Sequence, residues 1–163
     1  MRRACVGEAG AQRKRPRGLS GYLHALSATR LGCAGRAAAG RARSLWLWTT
    51  NAHLSVAFGV IDSCGFEYKT LLTWVKDRMG TGEWLRGQTE HCLLAVRGKP
   101  VFLHGNRGTV LEAARREHSR KPEEFYALVE ETCRGSKVEL FGRQEREGWQ
   151  VFGNQTNSFL NTR

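Results

Sequence analysis

Residues 45–75 read LWLWTTNAHLSVAFGVIDSCGFEYKTLLTWV, and the fold class is decided inside them. Leu45-Trp46-Leu47-Trp48 is an unbroken apolar run ending in Thr49-Thr50, the pattern of a strand buried on both faces. Asn51 then reads as an N-cap, Leu54, Ala57, Phe58 and Ile61 recur at helical spacing, and Gly65 stops the helix. Tyr68 to Val75 reads as a second strand. Strand, helix, strand in that order predicts a β-α-β unit, hence an α/β fold with a parallel sheet and a right-handed crossover.

Downstream, residues 76–89 (KDRMGTGEWLRGQT) carry three glycines and read as a long loop, with Trp84 exposed. Long loops at strand ends are often functional. His91 to Val96 is another continuous apolar strand, and 101–114 reads as two short strands around a turn at Gly105-Asn106. Pro122 suits the first position of a helix, because its missing N–H would be unpaired there, and Glu123 and Glu124 favour the helix dipole. Phe125, Leu128, Val129 and Thr132 make the buried face of that helix, Gly135 ends it, and 137–141 (KVELF) is a last strand. No internal repeat is visible.

Upstream the chain has a different character. Residues 1–44 hold ten Lys or Arg and one acid, whereas 45–163 hold sixteen and fourteen, so the net charge of +11 is an N-terminal property. Ala, Arg and Gly make up 26 of the first 44 residues, and every Trp and Phe follows Ser44. A segment so poor in large apolar groups cannot offset its chain entropy, and 1–44 is expected to be disordered. Three readings compete for it: an Arg-rich organellar leader, a nucleic-acid-binding tail, or a sequence read out of frame or from a wrong start. We favour the third.

The five cysteines form no CxxC pair and no metal-ligand spacing with His91 or His118, so thiols incidental to function in a reducing cytoplasm are expected, with no metal. No apolar run approaches the roughly 18 residues that span a membrane, so no membrane partner is expected. Glu90-His91 suggests an acid–base pair, but adjacent strand residues face opposite ways, and the pair is rejected.

From Ser44 to Gln155 the chain resembles the MT-A70 family of adenine-N6 methyltransferases. Six pieces carry the likeness, in order: LWLWTTNAHL (45–54), GFEYKTLLTWVK (65–76), GxWLRGQTEHCLLAVRG (82–98), REHSRKPEEFY (116–126), ELFGR (139–143) and GW…GNQ (148–155). The division implied is a basic segment over 1–44, a methyltransferase domain over 45–155 and a tail over 156–163. The fold implied is a Rossmann-like S-adenosylmethionine-dependent sheet, and the cofactor contacts are Lys121, Arg143, Asn154 and Gln155. ELFGR would end at a carboxyl strand edge, where ligands of open α/β sheets sit. Lys76, Trp84, Arg86, Arg116 and His118 fall in segments that border the substrate entrance. There basic groups would hold phosphate and an aromatic would stack on a base; the bland alternative is that Trp84 packs the loop down and the charges are solvated.

Family members carry an Asp-Pro-Pro-aromatic motif on a strand upstream of the segment matched by LWLWTT, which holds the adenine N6 amine in line with the methyl donor. The only prolines here are Pro16, Pro100 and Pro122, none adjacent to another and none after an aspartate. The expectation is therefore a sheet with a gap where that strand belongs, and no catalytic residue. The function implied is methyl transfer to adenine in DNA, in a compact bacterial or phage form, or in RNA, lost in the sequence as written. The alternative is a non-catalytic homologue that binds nucleic acid or supports a partner subunit.

Overall fold

The computed structural model describes residues 26–28, 42–82, 84–103, 106–117 and 120–153. Its elements are β1 (Leu26–Ala28), β2 (Arg43–Thr49), a 3-10 turn (Asn51–His53), α1 (Leu54–Ser63), β3 (Glu67–Val75), β4 (Thr89–Arg97), β5 (Val110–Glu112), α2 (Glu123–Thr132), β6 (Lys137–Leu140) and β7 (Trp149–Phe152). The strands form one mixed sheet in the order β5-β3-β4-β2-β1-β6-β7.

The apolar run in β2 is explained by its place in the middle of three layers. Leu45 and Leu47 pack with Ala57 and Ile61 of α1, while Trp46 and Trp48 pack with Phe125 and Val129 of α2 on the other face. A strand covered on both sides has no use for polar alternation. The aromatic side is joined edge to face, with Phe125 centred 4.8 Å from Trp48 and 5.8 Å from Trp46.

The α/β class is as expected, but the sheet is not purely parallel. β2 and β3 run the same way with β4 antiparallel between them. The loop after β3 returns the chain at the same edge, so β4 must come back in the opposite sense. β5 and β7 add parallel to β3 and β6; β7 carries no strand expectation above.

The sheet gap expected beside β2 is corrected. Residues 26–28 lie between β2 and β6 and pair antiparallel with both. A strand edge is satisfied by backbone groups, which any non-proline residue supplies, so three residues of the Ala/Arg/Gly segment serve there. The expectation of disorder fails for those three residues, and β2 already begins at Arg43.

Smaller differences are local. Asn51 opens a 3-10 turn instead of capping α1, and its side-chain amide donates to Thr89 Oγ1 at 3.2 Å. Phe58 is not core; it lies at the margin of the contact between α1 and the sheet, edge-on to the exposed Tyr68 of β3. Pro122 is the N-cap of α2, so the helix begins at Glu123, one residue later than expected, and Tyr126 joins the buried face. In 101–114 only β5 is a strand, Phe102 makes a single bridge to Cys133, and Gly105 lies outside the described residues.

Candidate functional site

Because β2, β3 and β6 run in one direction, their carboxyl ends share an edge, where open α/β sheets place ligands. A cavity of about 730 Å³ opens there, lined by Thr50 and Asn51 after β2, Trp74 and Lys76 at the end of β3, and Thr89 and Glu90 at the start of β4. That volume suits a drug- or nucleotide-sized ligand.

Lys76 and Glu90 of the cavity wall are linked to a third charge, Lys121, buried behind them. Lys76 Nζ donates to Glu90 Oε1 at 2.6 Å, and Lys121 Nζ donates to Glu90 Oε2 at 2.5 Å. Each ammonium also lies 4.7 Å from an indole centre, Lys76 over Trp74 and Lys121 over Trp48. Lys121 is only 6% exposed, although a lysine before a helix would ordinarily be solvated. Burial pushes the Glu90 carboxyl upward, but the charge and hydrogen bond of Lys121, helped by Lys76, outweigh it and hold the group below the usual glutamate range. Two cations and one anion leave the triad with one net positive charge beside the cavity.

Strand alternation sets this arrangement. Glu90 shares a face with Cys92, toward α2, while His91 turns to the other side and meets Thr73 Oγ1 at 3.1 Å. The rejected Glu90-His91 pair is indeed split. Glu90 as the partner of both lysines was not anticipated, though its alternation with Cys92 and Lys76 following Trp74 are signals that could have found it.

The loop from Asp77 to Gln88 stands on this wall. Lys76 and Gln88 close its base through Lys76 N–H to Gln88 O at 2.9 Å and Gln88 Nε2 to Lys76 O at 2.9 Å. Arg86 Nε donates to Gly80 O at 3.0 Å. At the tip Trp84 is 95% exposed and Leu85 89%, so Trp84 does not pack the loop down. Across the cavity Arg116 donates to Glu123 Oε1 at 2.5 Å.

Of the expected cofactor residues, Lys121 lies behind Glu90 and Arg143 is half-buried just past β6. Asn154, Gln155 and His118 lie outside the described residues. Gly142 of ELFGR and Gly153 nevertheless meet: Gly142 N–H donates to Phe152 O at 3.2 Å, and a Cβ on Gly153 would collide with the Gly142 carbonyl. Both motif glycines thus answer to close backbone approach.

A match to the MT-A70 family model extends over residues 37–155. The chain belongs to the MT-A70 family. It is 36% identical to the human N(6)-adenosine-methyltransferase catalytic subunit METTL3, with 68% of this chain and 21% of that protein covered. It is 35% identical to the Arabidopsis thaliana N(6)-adenosine-methyltransferase MT-A70-like, covering 69% and 18%. It is 33% identical to the type II methyltransferase M.MunI of a Mycoplasma species, covering 67% and 48%. The chain therefore spans about a fifth of the length of the MT-A70-like relatives and about half of the last.

Among the described residues no group of His, Cys, Asp or Glu could hold a metal ion, and no helix is long and apolar enough to cross a membrane. Cys92 and Cys133 are buried, and burial pushes the Cys92 thiol well above its ordinary range, away from reactivity.

A more deeply buried acid, Glu139, feels the charge of Lys121. Tyr126 Oη donates to Glu139 Oε1 at 2.9 Å, and burial raises the Glu139 carboxyl above the usual range despite that bond and Lys121. A raised carboxyl contributes stability below its unfolded pKa, and that contribution is lost as pH rises through the folded value. Glu139→Gln keeps an acceptor for Tyr126 and removes the charge. It is expected to raise the melting temperature at pH 7, with the gain shrinking toward pH 4.5; an unchanged or lower melting temperature at pH 7 would refute this.

Proposed function

We propose that this chain forms the cofactor- and substrate-binding part of an S-adenosylmethionine-dependent adenine-N6 methyltransferase, built on a Rossmann-like sheet and acting on adenine in DNA or RNA. The observation that carries the reading is a nucleotide-sized cavity at the carboxyl edge of the sheet, lined by Lys76 and Glu90, with the buried Lys121 ammonium held directly behind Glu90. Size and charge both fit a nucleoside cofactor that bears a carboxylate.

In this reading Lys121 draws the carboxylate while Glu90 holds its ammonium in place. Arg143, Asn154 and Gln155 donate to the ribose. S-adenosylmethionine, when bound, supplies an electrophilic methyl group. Lys76, Arg86, Arg116 and His118 meet the nucleic-acid backbone, and the exposed Trp84 ring stacks on an unpaired base, an interaction of roughly 1–3 kcal/mol. An adenine must leave its duplex to reach such a cavity.

These 163 residues contain no Asp-Pro-Pro acceptor set for the adenine amine. Positioning of that amine supplies much of such a reaction's rate, so these residues alone are expected to bind the cofactor and transfer no methyl group. Calorimetric titration with S-adenosylmethionine should show saturable binding, weakened at least about tenfold in Lys121→Met and Arg143→Gln, the scale of a lost charged hydrogen bond. Labelled donor should leave no methyl on adenine oligonucleotides of either DNA or RNA. Absence of cofactor binding would sink the reading and leave the non-catalytic homologue, a nucleic-acid-binding or partner subunit, in its place. Methyl transfer by these residues would refute the loss of catalysis.

A further inference from the structure

Beside the triad, three arginines converge on one carboxylate. Arg116 Nη1 donates to Glu123 Oε1 at 2.5 Å, Arg120 Nη2 lies 3.8 Å from the same oxygen, and Arg146 reaches Oε2. Each guanidinium has a second anchor. Arg116 reaches the Lys121 carbonyl at 3.4 Å, Arg120 donates to Gln144 Oε1 at 2.7 Å, and Arg146 lies 3.9 Å over the Tyr126 ring. Their side chains are 22–25% exposed, while that of Glu123 is 49% exposed. The cations are thus anchored and partly buried, and the carboxylate is the most exposed of the four.

Two further acids stand at the margin. Glu117 touches Arg120 at 3.5 Å from a position 67% exposed, and Glu130 lies 3.8 Å from Arg146 while accepting from Trp149 Nε1. Neither is shared by all three arginines. Arg146 is held below the ordinary arginine range by burial and then by the neighbouring charges of Arg116 and Arg120. Two carboxylate oxygens serve three forks unequally, with Arg120 beyond hydrogen-bond reach. A tetrahedral phosphate offers acceptors in more directions, and planar guanidinium forks match it. Arg116 and Arg120 also line the cavity.

We propose that Arg116, Arg120 and Arg146 form a phosphate seat at the cavity rim, with Glu123 as a placeholder that a backbone phosphate of the nucleic acid displaces. The proposal rests on the nucleic-acid reading above and adds to it Arg120, Arg146 and the competing role of Glu123. It deepens that reading by making part of the affinity independent of base identity.

The test is fluorescence anisotropy of the full chain with labelled single-stranded oligonucleotides, one containing adenine and one all-thymine, over a salt series. Arg120→Gln and Arg146→Gln should each weaken both oligonucleotides about tenfold and flatten the salt slope by about 0.7, the value for one single-strand phosphate contact. Glu123→Gln should tighten both by about threefold or more, a gain that unfolding cannot produce. Glu124→Gln, which removes the same charge one residue away, should leave affinity within about twofold. Equal gains in the two glutamate variants, unmoved salt slopes in Arg120→Gln, or no oligonucleotide binding by the wild-type chain would each overturn the seat. Cofactor titration judges the methyltransferase reading separately. A chain that binds cofactor with unmoved slopes loses only the seat, and one that shows the seat without cofactor binding loses only the methyltransferase reading.

Discussion

Trp48→Ala should cost about 3–5 kcal/mol, the range for removing a buried aromatic. The side chain is 2% exposed, meets Phe125 and Trp74 edge to face, and lies under the Lys121 ammonium. Its removal opens a void between the middle and outer layers that α2 cannot close without leaving Trp46. Small domains are stable by roughly 5–15 kcal/mol, so one substitution takes a large share. Trp48→Phe should cost less, because the ring contacts are mostly retained and the indole N–H finds no acceptor among the described residues. Urea unfolding midpoints, compared at constant m-value, decide the matter. A loss under about 1 kcal/mol for the alanine variant would mean that β2 is not covered by α2 as described.

The second large effect belongs to Glu90. Glu90→Ala leaves Lys121 buried without its carboxylate, and breaking a buried pair from one side costs about 3–5 kcal/mol. Replacing both partners by apolar residues, Glu90→Leu with Lys121→Met, should recover part of that stability, because the deeply buried ammonium is then no longer stranded and only the more exposed Lys76 has lost its partner. Cofactor binding should not recover, since the Lys121 ammonium proposed to meet the carboxylate is gone although Lys76 keeps the local net charge unchanged. Stability and binding would thus part in one pair of variants; recovery of both would deny the triad its proposed role. The pH dependence has the opposite sign to that of Glu139. Glu90 is held below its ordinary range, so its contribution is present above pH 4.5 and is lost as pH falls through the folded value. Acid unfolding of the wild type should accordingly be steeper than that of the double variant.

Much of this was legible along the chain. LWLWTT declared a two-faced strand because continuous apolar residues have no other stable place in so short a run, and the spacing of Ala57 and Ile61 declared the helix over it. The six ordered pieces were enough to name the family. Phe58 was misplaced because helical spacing gives a stripe but not its width, and only Ala57 and Ile61 of α1 are buried while Phe58 falls at the stripe's margin against Tyr68.

What the sequence by itself determined is the family and the elements with a strong hydrophobic period (β2, α1, β3, β4, α2 and β6), since period and motif order are local properties; β1 and β7 carry no such signal. Where the strands lie in the sheet was decided only by tertiary structure. β4 inserts antiparallel between β2 and β3, and residues 26–28 complete the row between β2 and β6, because backbone pairing is indifferent to side-chain composition. The charge network was likewise a tertiary matter. Glu90 lies 14 residues from Lys76 and 31 from Lys121, and Arg146 lies 23 from Glu123, so no local pattern links them. They meet because buried charges must find opposite partners, and only the folded sheet and α2 bring those partners within reach.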